Sequence, residues 1–159
     1  MALDIIEELE AIIDAFDAEG IEYAVCGGLA VGILGLPRAT KDIDLLVRRE
    51  DVDRAKATVK AIGFDIPAKR MVFRQGAPDE QEMHRQSKLD PETNDLMPLD
   101  LLVVMPIFEE VWATRIELPY RERKIKVVSR EGLVTMKTRS GRPQDLVDIE
   151  RLQFDDEEA

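Results

Sequence analysis

The chain has little that could staple, span or wrap. Among 159 residues it has a single cysteine, Cys26, so no intrachain disulfide can form, which suits a reducing cytoplasm. It has one histidine, His84, placed among polar residues of an expected exposed strand, a poor setting for a catalytic base. Its longest uncharged run, Tyr23 to Pro37, is short for a membrane span and is interrupted by four glycines. The first residues, MALDIIEELE, are acidic and helical in pattern, unlike a signal peptide. Basic residues are also in deficit. The net charge of -11 disfavours wrapping a long nucleic acid against a broad basic face.

The charge is unevenly placed. Residues 1–20 carry seven acids and no bases, whereas residues 115–142 carry nine Lys/Arg against three Glu. Such a segment serves either a small anionic ligand or charge pairing with the acidic helices.

Helical periodicity of Leu3, Ile5, Ile6, Leu9, Ile12, Ile13 and Phe16 predicts a helix over 3–19, closed by Gly20. A strand is expected over Ile21 to Cys26, a short apolar helix over Leu29 to Leu36, a strand over Ile43 to Val47 and a helix over Asp51 to Ile62. Met71 to Arg74 reads as a strand and 75–82 as a loop. His84 to Leu89 and Met97 to Val104 read as strands joined by the turn formers DPETN. Ile107 to Ala113 suggests a helical turn or two, and Lys124 to Val128 a last strand. Helices follow over Glu131 to Thr138 and Pro143 to Leu152, divided at Ser140-Gly141-Arg142. No repeat or long linker divides the chain. The expectation is one α/β (α+β) domain over 1–159, a mixed sheet flanked by helices, with an acidic tail from 154 to 159 expected to be disordered.

Within this plan, TKDIDLLV (40–47) sets two acids into a strand that otherwise wants burial. Residues two apart share a strand face, so Asp42 and Asp44 project together while Ile43 and Leu45 turn away. Their repulsion is relieved by a divalent cation, a shared proton or an adjacent Lys/Arg. Hard oxygen donors on a rigid strand suit Mg²⁺, or Mn²⁺ in its place. Asp100 repeats the pattern in PLDLLVV. If its strand pairs beside 43–47, it completes a cluster of three carboxylates able to support in-line phosphoryl displacement. Gly27-Gly28 lies between a strand and a helix, where glycine permits a close backbone approach and helix N–H groups favour phosphate; a tight turn without ligand reads equally well. Arg38 and Thr40 precede the acids. They either contact phosphate or acceptor, or pair with Asp42 and cap a turn.

Taken in order, GGLAVGILGLPRATKDIDLLV (27–47), LDLLVV (99–104) and LVTMKTRSGRPQDLVDIERL (133–152) resemble the nucleotidyltransferase superfamily typified by DNA polymerase beta. The similarity is greatest to its small prokaryotic members, including minimal and abortive-infection-type nucleotidyltransferases. The resemblance implies that Gly27 and Gly28 cradle the phosphates of a nucleoside triphosphate such as ATP. It implies that Asp42, Asp44 and Asp100 bind Mg²⁺, that Asp100 also helps deprotonate the acceptor hydroxyl, and that Lys137 contacts the triphosphate. Many active members have Gly-Ser where this chain has Gly28-Leu29, which removes a hydroxyl donor to phosphate.

Two functions are therefore expected as alternatives. The first is Mg²⁺-dependent transfer of a nucleoside monophosphate to a hydroxyl of a protein, a small molecule or an RNA end, with release of pyrophosphate. The second is a nucleotide- or partner-binding module with little turnover, such as a toxin–antitoxin component. Convergence of Asp42, Asp44 and Asp100 is the feature that separates them.

Overall fold

The alternation in TKDIDLLV becomes a strand at the middle of one mixed sheet. The computed structural model describes residues 2–36, 39–140 and 143–158, so the expectations placed on Arg38, and on Gly141 and Arg142 at the helix break, lie outside the described residues. Among the described residues eight strands are formed: β1 (Ala24–Cys26), β2 (Ile43–Val47), β3 (Ile66–Pro67), β4 (Met71–Phe73), β5 (Gln81–Leu89), β6 (Leu96–Val103), β7 (Ile116–Tyr120) and β8 (Arg123–Val127). They lie in the order β3-β5-β6-β2-β1-β8-β7, with β4 also pairing to β5. β2 runs parallel to β6 and antiparallel to β1, and β5 runs antiparallel to β6.

The helices are α1 (Ile5–Glu19), α2 (Gly27–Ile33), α3 (Val52–Lys60), α4 (Glu109–Ala113), α5 (Arg130–Ser140) and α6 (Pro143–Glu158). Asp4 caps α1 by accepting from the N–H groups of Ile6 and Glu7, and Gly20 ends it in the left-handed region at φ 68°. The apolar face of α1 delivers Leu9, Ile12, Ile13 and Phe16 to the core without residual exposure. On the sheet, Ile43, Leu45, Leu99 and Leu101 are likewise fully buried. Burying each such side chain is worth roughly 1.5–3 kcal/mol, so the two central strands are firmly held. Among the described residues, no helix is long and apolar enough to cross a membrane.

Several boundaries differ from expectation. α2 begins at Gly27 itself, so the glycine pair forms the first turn of the helix rather than a loop before it. β5 begins at Gln81, inside the expected loop, because Phe73 and Gln81 pair across β4 and β5. β7 was not expected. Its Pro119 argues against a central strand, but β7 is an edge strand, where proline is tolerated. α6 runs past Leu152 to Glu158, since no glycine or proline follows Pro143 to stop it.

The basic segment is largely spent on charge pairing with acidic residues elsewhere. Arg121 and Arg123 bind Glu10, Arg123 also binds Asp14, and Lys126 and Arg115 bind Glu22. These contacts tie β7 and β8 to α1 and to the segment leading into β1.

Candidate active site

Strand register decides which side chains meet. Parallel pairing sets Asp44 opposite Asp100, and antiparallel pairing sets Cys26 opposite Asp44 and Arg85 opposite Asp100. Neighbouring strands lie roughly 4.8 Å apart, so one row across four strands reads Cys26, Asp44, Asp100, Arg85. Asp42 joins from just before β2 on the same face.

This row opens into a cavity of about 610 Å³. Gly27, Gly28, Thr40, Asp42, Asp44 and Asp100 line it, and Lys137 of α5 is also in the lining. The cavity thus gathers every candidate residue that the structure describes. On the opposite sheet face, His84 is mostly buried and its Nε2 donates to Glu82 at 2.7 Å. The lone histidine therefore faces away from the acids.

The glycine at 27 has a steric reason. Its φ is +66°, and a Cβ built there would lie 2.1 Å from Oδ2 of Asp44. The backbone of α2 can approach the carboxylate only because that position carries no side chain. Thr40 turns its hydroxyl back onto its own loop: Oγ1 donates to the Asp42 carbonyl at 3.3 Å and sits 3.4 Å from the Asp42 amide. That hydroxyl braces Asp42 at the head of β2, as in the turn-capping alternative, while Thr40 also lines the cavity.

Asp100 does not stand open to a cation. Arg85 Nε donates to Asp100 Oδ1 at 2.7 Å and Arg85 Nη2 to Asp100 Oδ2 at 3.0 Å, a two-point bridge. The bond to Asp100, with the added fields of Asp42 and Asp44, raises the Arg85 pKa above its ordinary value against the opposing effect of burial. Among the described residues, no three His, Cys, Asp or Glu side chains form a ready group for a metal ion. The carboxylates are nonetheless the hard oxygen donors that Mg²⁺ takes, and Asp44 and Asp100 are register partners. The donor set fits such a cation once Arg85 leaves Asp100.

Lys137, expected at the triphosphate, is buried. Its Nζ sits 3.3 Å from Asp145 Oδ1 and 2.9 Å from Asp148 Oδ2, both on α6. The expected phosphate contact therefore competes with a buried ion cluster that joins α5 to α6. Burial, assisted by Asp44 and Asp100, pushes the Cys26 thiol well above its ordinary range, so Cys26 is an apolar wall residue and not a nucleophile.

Residues 2–138 match the family described as an uncharacterised nucleotidyltransferase. The chain belongs to this nucleotidyltransferase family. No curated protein matches it significantly. Among solved structures, the nucleotidyltransferase fold is shared with a candidate nucleotidyltransferase from Thermotoga maritima, TM1012, at TM-score 0.60 and 15% identity, covering 95% of this chain and 93% of the other. It is also shared with the antibiotic-resistance factor ANT(2'')-Ia. That protein's crystal complex with adenylyl-2''-tobramycin aligns at TM-score 0.56 and 16% identity, over 91% of this chain and 84% of that one. Its solution structure aligns at TM-score 0.60 and 15% identity, over 96% and 83%.

Arg85 lines this cavity although nothing in its immediate sequence singles it out. A signal for it existed. The expected hairpin around DPETN fixes an antiparallel register, and pairing Leu89 with Leu96 across that turn brings Arg85 opposite Asp100.

Proposed function

We propose that this nucleotidyltransferase moves a nucleoside monophosphate from a nucleoside triphosphate to an acceptor hydroxyl, with release of pyrophosphate. The observation that carries the reading is the register pairing of Asp44 with Asp100, beside Asp42 and beneath the first turn of α2, in one cavity. Asp42, Asp44 and Asp100 would hold Mg²⁺ or Mn²⁺, which when bound neutralises charge on the reacting phosphate and acidifies the attacking hydroxyl.

The chain's own residues do the rest. Gly27 and Gly28 let the α2 backbone come close to the polyphosphate. Asp100 orients the acceptor hydroxyl and accepts its proton. Buried strands keep the carboxylates at fixed spacing, so positioning and electrostatics provide the acceleration without a covalent enzyme intermediate. One structural neighbour is complexed with an adenylylated antibiotic, which makes the hydroxyl of a small molecule the first acceptor class to test. A protein hydroxyl comes next. The net charge of -11 ranks a long RNA last. A reducing cytoplasm is the proposed setting, consistent with the lone cysteine.

The Arg85–Asp100 bridge favours a second reading, a nucleotide-binding module with little turnover in which Asp100 keeps its arginine. Incubation in a lysate with Mg²⁺ and each NTP, labelled at the α- or the γ-phosphate, separates the two. Relative to a lysate lacking the protein, transfer predicts new α-label on an acceptor and no new γ-label on it. Label that stays with nucleotide in every case favours the binding module.

A further inference from the structure

Asp100 is flanked in the sheet by an acid on one side and a base on the other: Asp44 across the parallel pairing, Arg85 across the antiparallel one. Both oxygens of its carboxylate are taken by Arg85. The two partners differ in freedom. The Asp100 side chain is 5% exposed and fixed on a central strand, whereas the Arg85 side chain is 35% exposed at the cavity wall. The arginine can leave and the aspartate cannot. Among the described residues, Arg85 is bonded directly to one of the carboxylates on this face, so both Asp100 oxygens become available to a divalent cation when that guanidinium finds another anion.

We infer that Arg85 is a nucleotide-responsive counterion: it occupies Asp100 while the cavity holds no nucleotide, and the incoming polyphosphate draws it off, which opens Asp100 to a divalent cation. The inference rests on the nucleotidyl-transfer reading. Its chemistry is an exchange of partners. The single charge of Arg85 moves from a carboxylate to a phosphate, and the double charge of the cation takes its place beside Asp44 and Asp100. Arginine suits this exchange because its fork binds carboxylate and phosphate with the same two-point geometry. Cation loading at Asp100 then follows nucleotide binding, and the site stays closed to metal when no substrate is present.

The device predicts opposite effects of one substitution on two ligands. Binding of Mn²⁺ alone is measured by loss of its free electron-spin resonance signal, and binding of ATP in EDTA by titration calorimetry. Relative to wild type, Arg85→Gln binds Mn²⁺ at least about tenfold more tightly in the absence of nucleotide, because the competing cation is gone. The same variant binds ATP in EDTA at least about fivefold more weakly, because the phosphate loses its arginine. Arg85→Lys keeps the charge but loses the fork, and falls between on both measurements. Should Arg85→Gln fail to fold, Arg85→Lys carries the test with the same two signs.

Unchanged or weakened Mn²⁺ binding in Arg85→Gln, or in Arg85→Lys if only that variant folds, overturns the inference while the transfer reading stands. So does undiminished ATP binding in the variant. No Mn²⁺ or ATP binding by any form, wild type included, removes the transfer reading and this inference with it.

Discussion

A Cβ on Gly27 would lie 2.1 Å from Oδ2 of Asp44, far inside any tolerable contact. The carboxylate and the first turn of α2 therefore depend on each other. Gly27→Ala adds a left-handed backbone penalty to a collision with a side chain on a buried strand. We expect it to destabilise the protein by about 3 kcal/mol or more in urea unfolding. In an Asp44→Ala background the collision with the carboxylate is removed, a tight 3.0 Å approach to the Cβ at 44 and about 1 kcal/mol of backbone strain remain, and the cost of Gly27→Ala falls. Equal costs in the two backgrounds would show that the closeness of these residues does not matter.

Lys137 tests whether a buried cation serves structure or substrate. Its amine lies between Asp145 and Asp148, and all three are nearly inaccessible. Lys137→Met takes one cation from two buried carboxylates and should cost about 3–5 kcal/mol. Adding Asp145→Asn and Asp148→Asn should recover much of that loss. A variant that keeps its stability but loses ATP affinity would return Lys137 to the triphosphate.

Glu82 gives a pH signature. Burial pushes its carboxyl up, but hydrogen bonds from His84 and Arg49, with the Arg49 charge, hold it below its ordinary value of 4.5. The folded state thus prefers the ionised form more than the unfolded chain does. That stability is complete above the unfolded value and fades as pH falls through the lower, folded one. Wild type should exceed Glu82→Gln in stability at about pH 6, with the gap closing towards about pH 3. A gap that is constant with pH would assign the effect to packing.

Legibility in the sequence followed how local the determining interaction was. The period-two pattern around Asp42 and Asp44 placed them on one face without knowledge of any neighbour. The apolar setting of Asp100 marked it as an acid with a purpose, and its register partner proved to be Asp44. What escaped depended on partners distant in sequence or on edges. The fate of Lys137 is set by how α6 packs on α5, and neither helix shows that in its own periodicity. β7 was obscured by Pro119, which only its edge position permits. Arg85 was within reach from the hairpin turn, yet an arginine on a polar strand draws no notice until its partner's register is counted. Gly27 was legible as a special position. Its reason was not, since the crowding atom belongs to a strand that begins sixteen residues later.

The central claim is that the acids of β2 and β6 bind a divalent cation together with a nucleotide. Calorimetric titration of Mg²⁺–ATP into wild type, Asp44→Asn and Asp100→Asn tests it directly, with melting curves recorded in parallel. The account predicts saturable binding by wild type, a loss of at least about 100-fold in affinity in Asp44→Asn, a comparable loss in Asp100→Asn, and thermal midpoints close to wild type in the absence of ligand. Equal Mg²⁺–ATP affinity in all three folded proteins would contradict it.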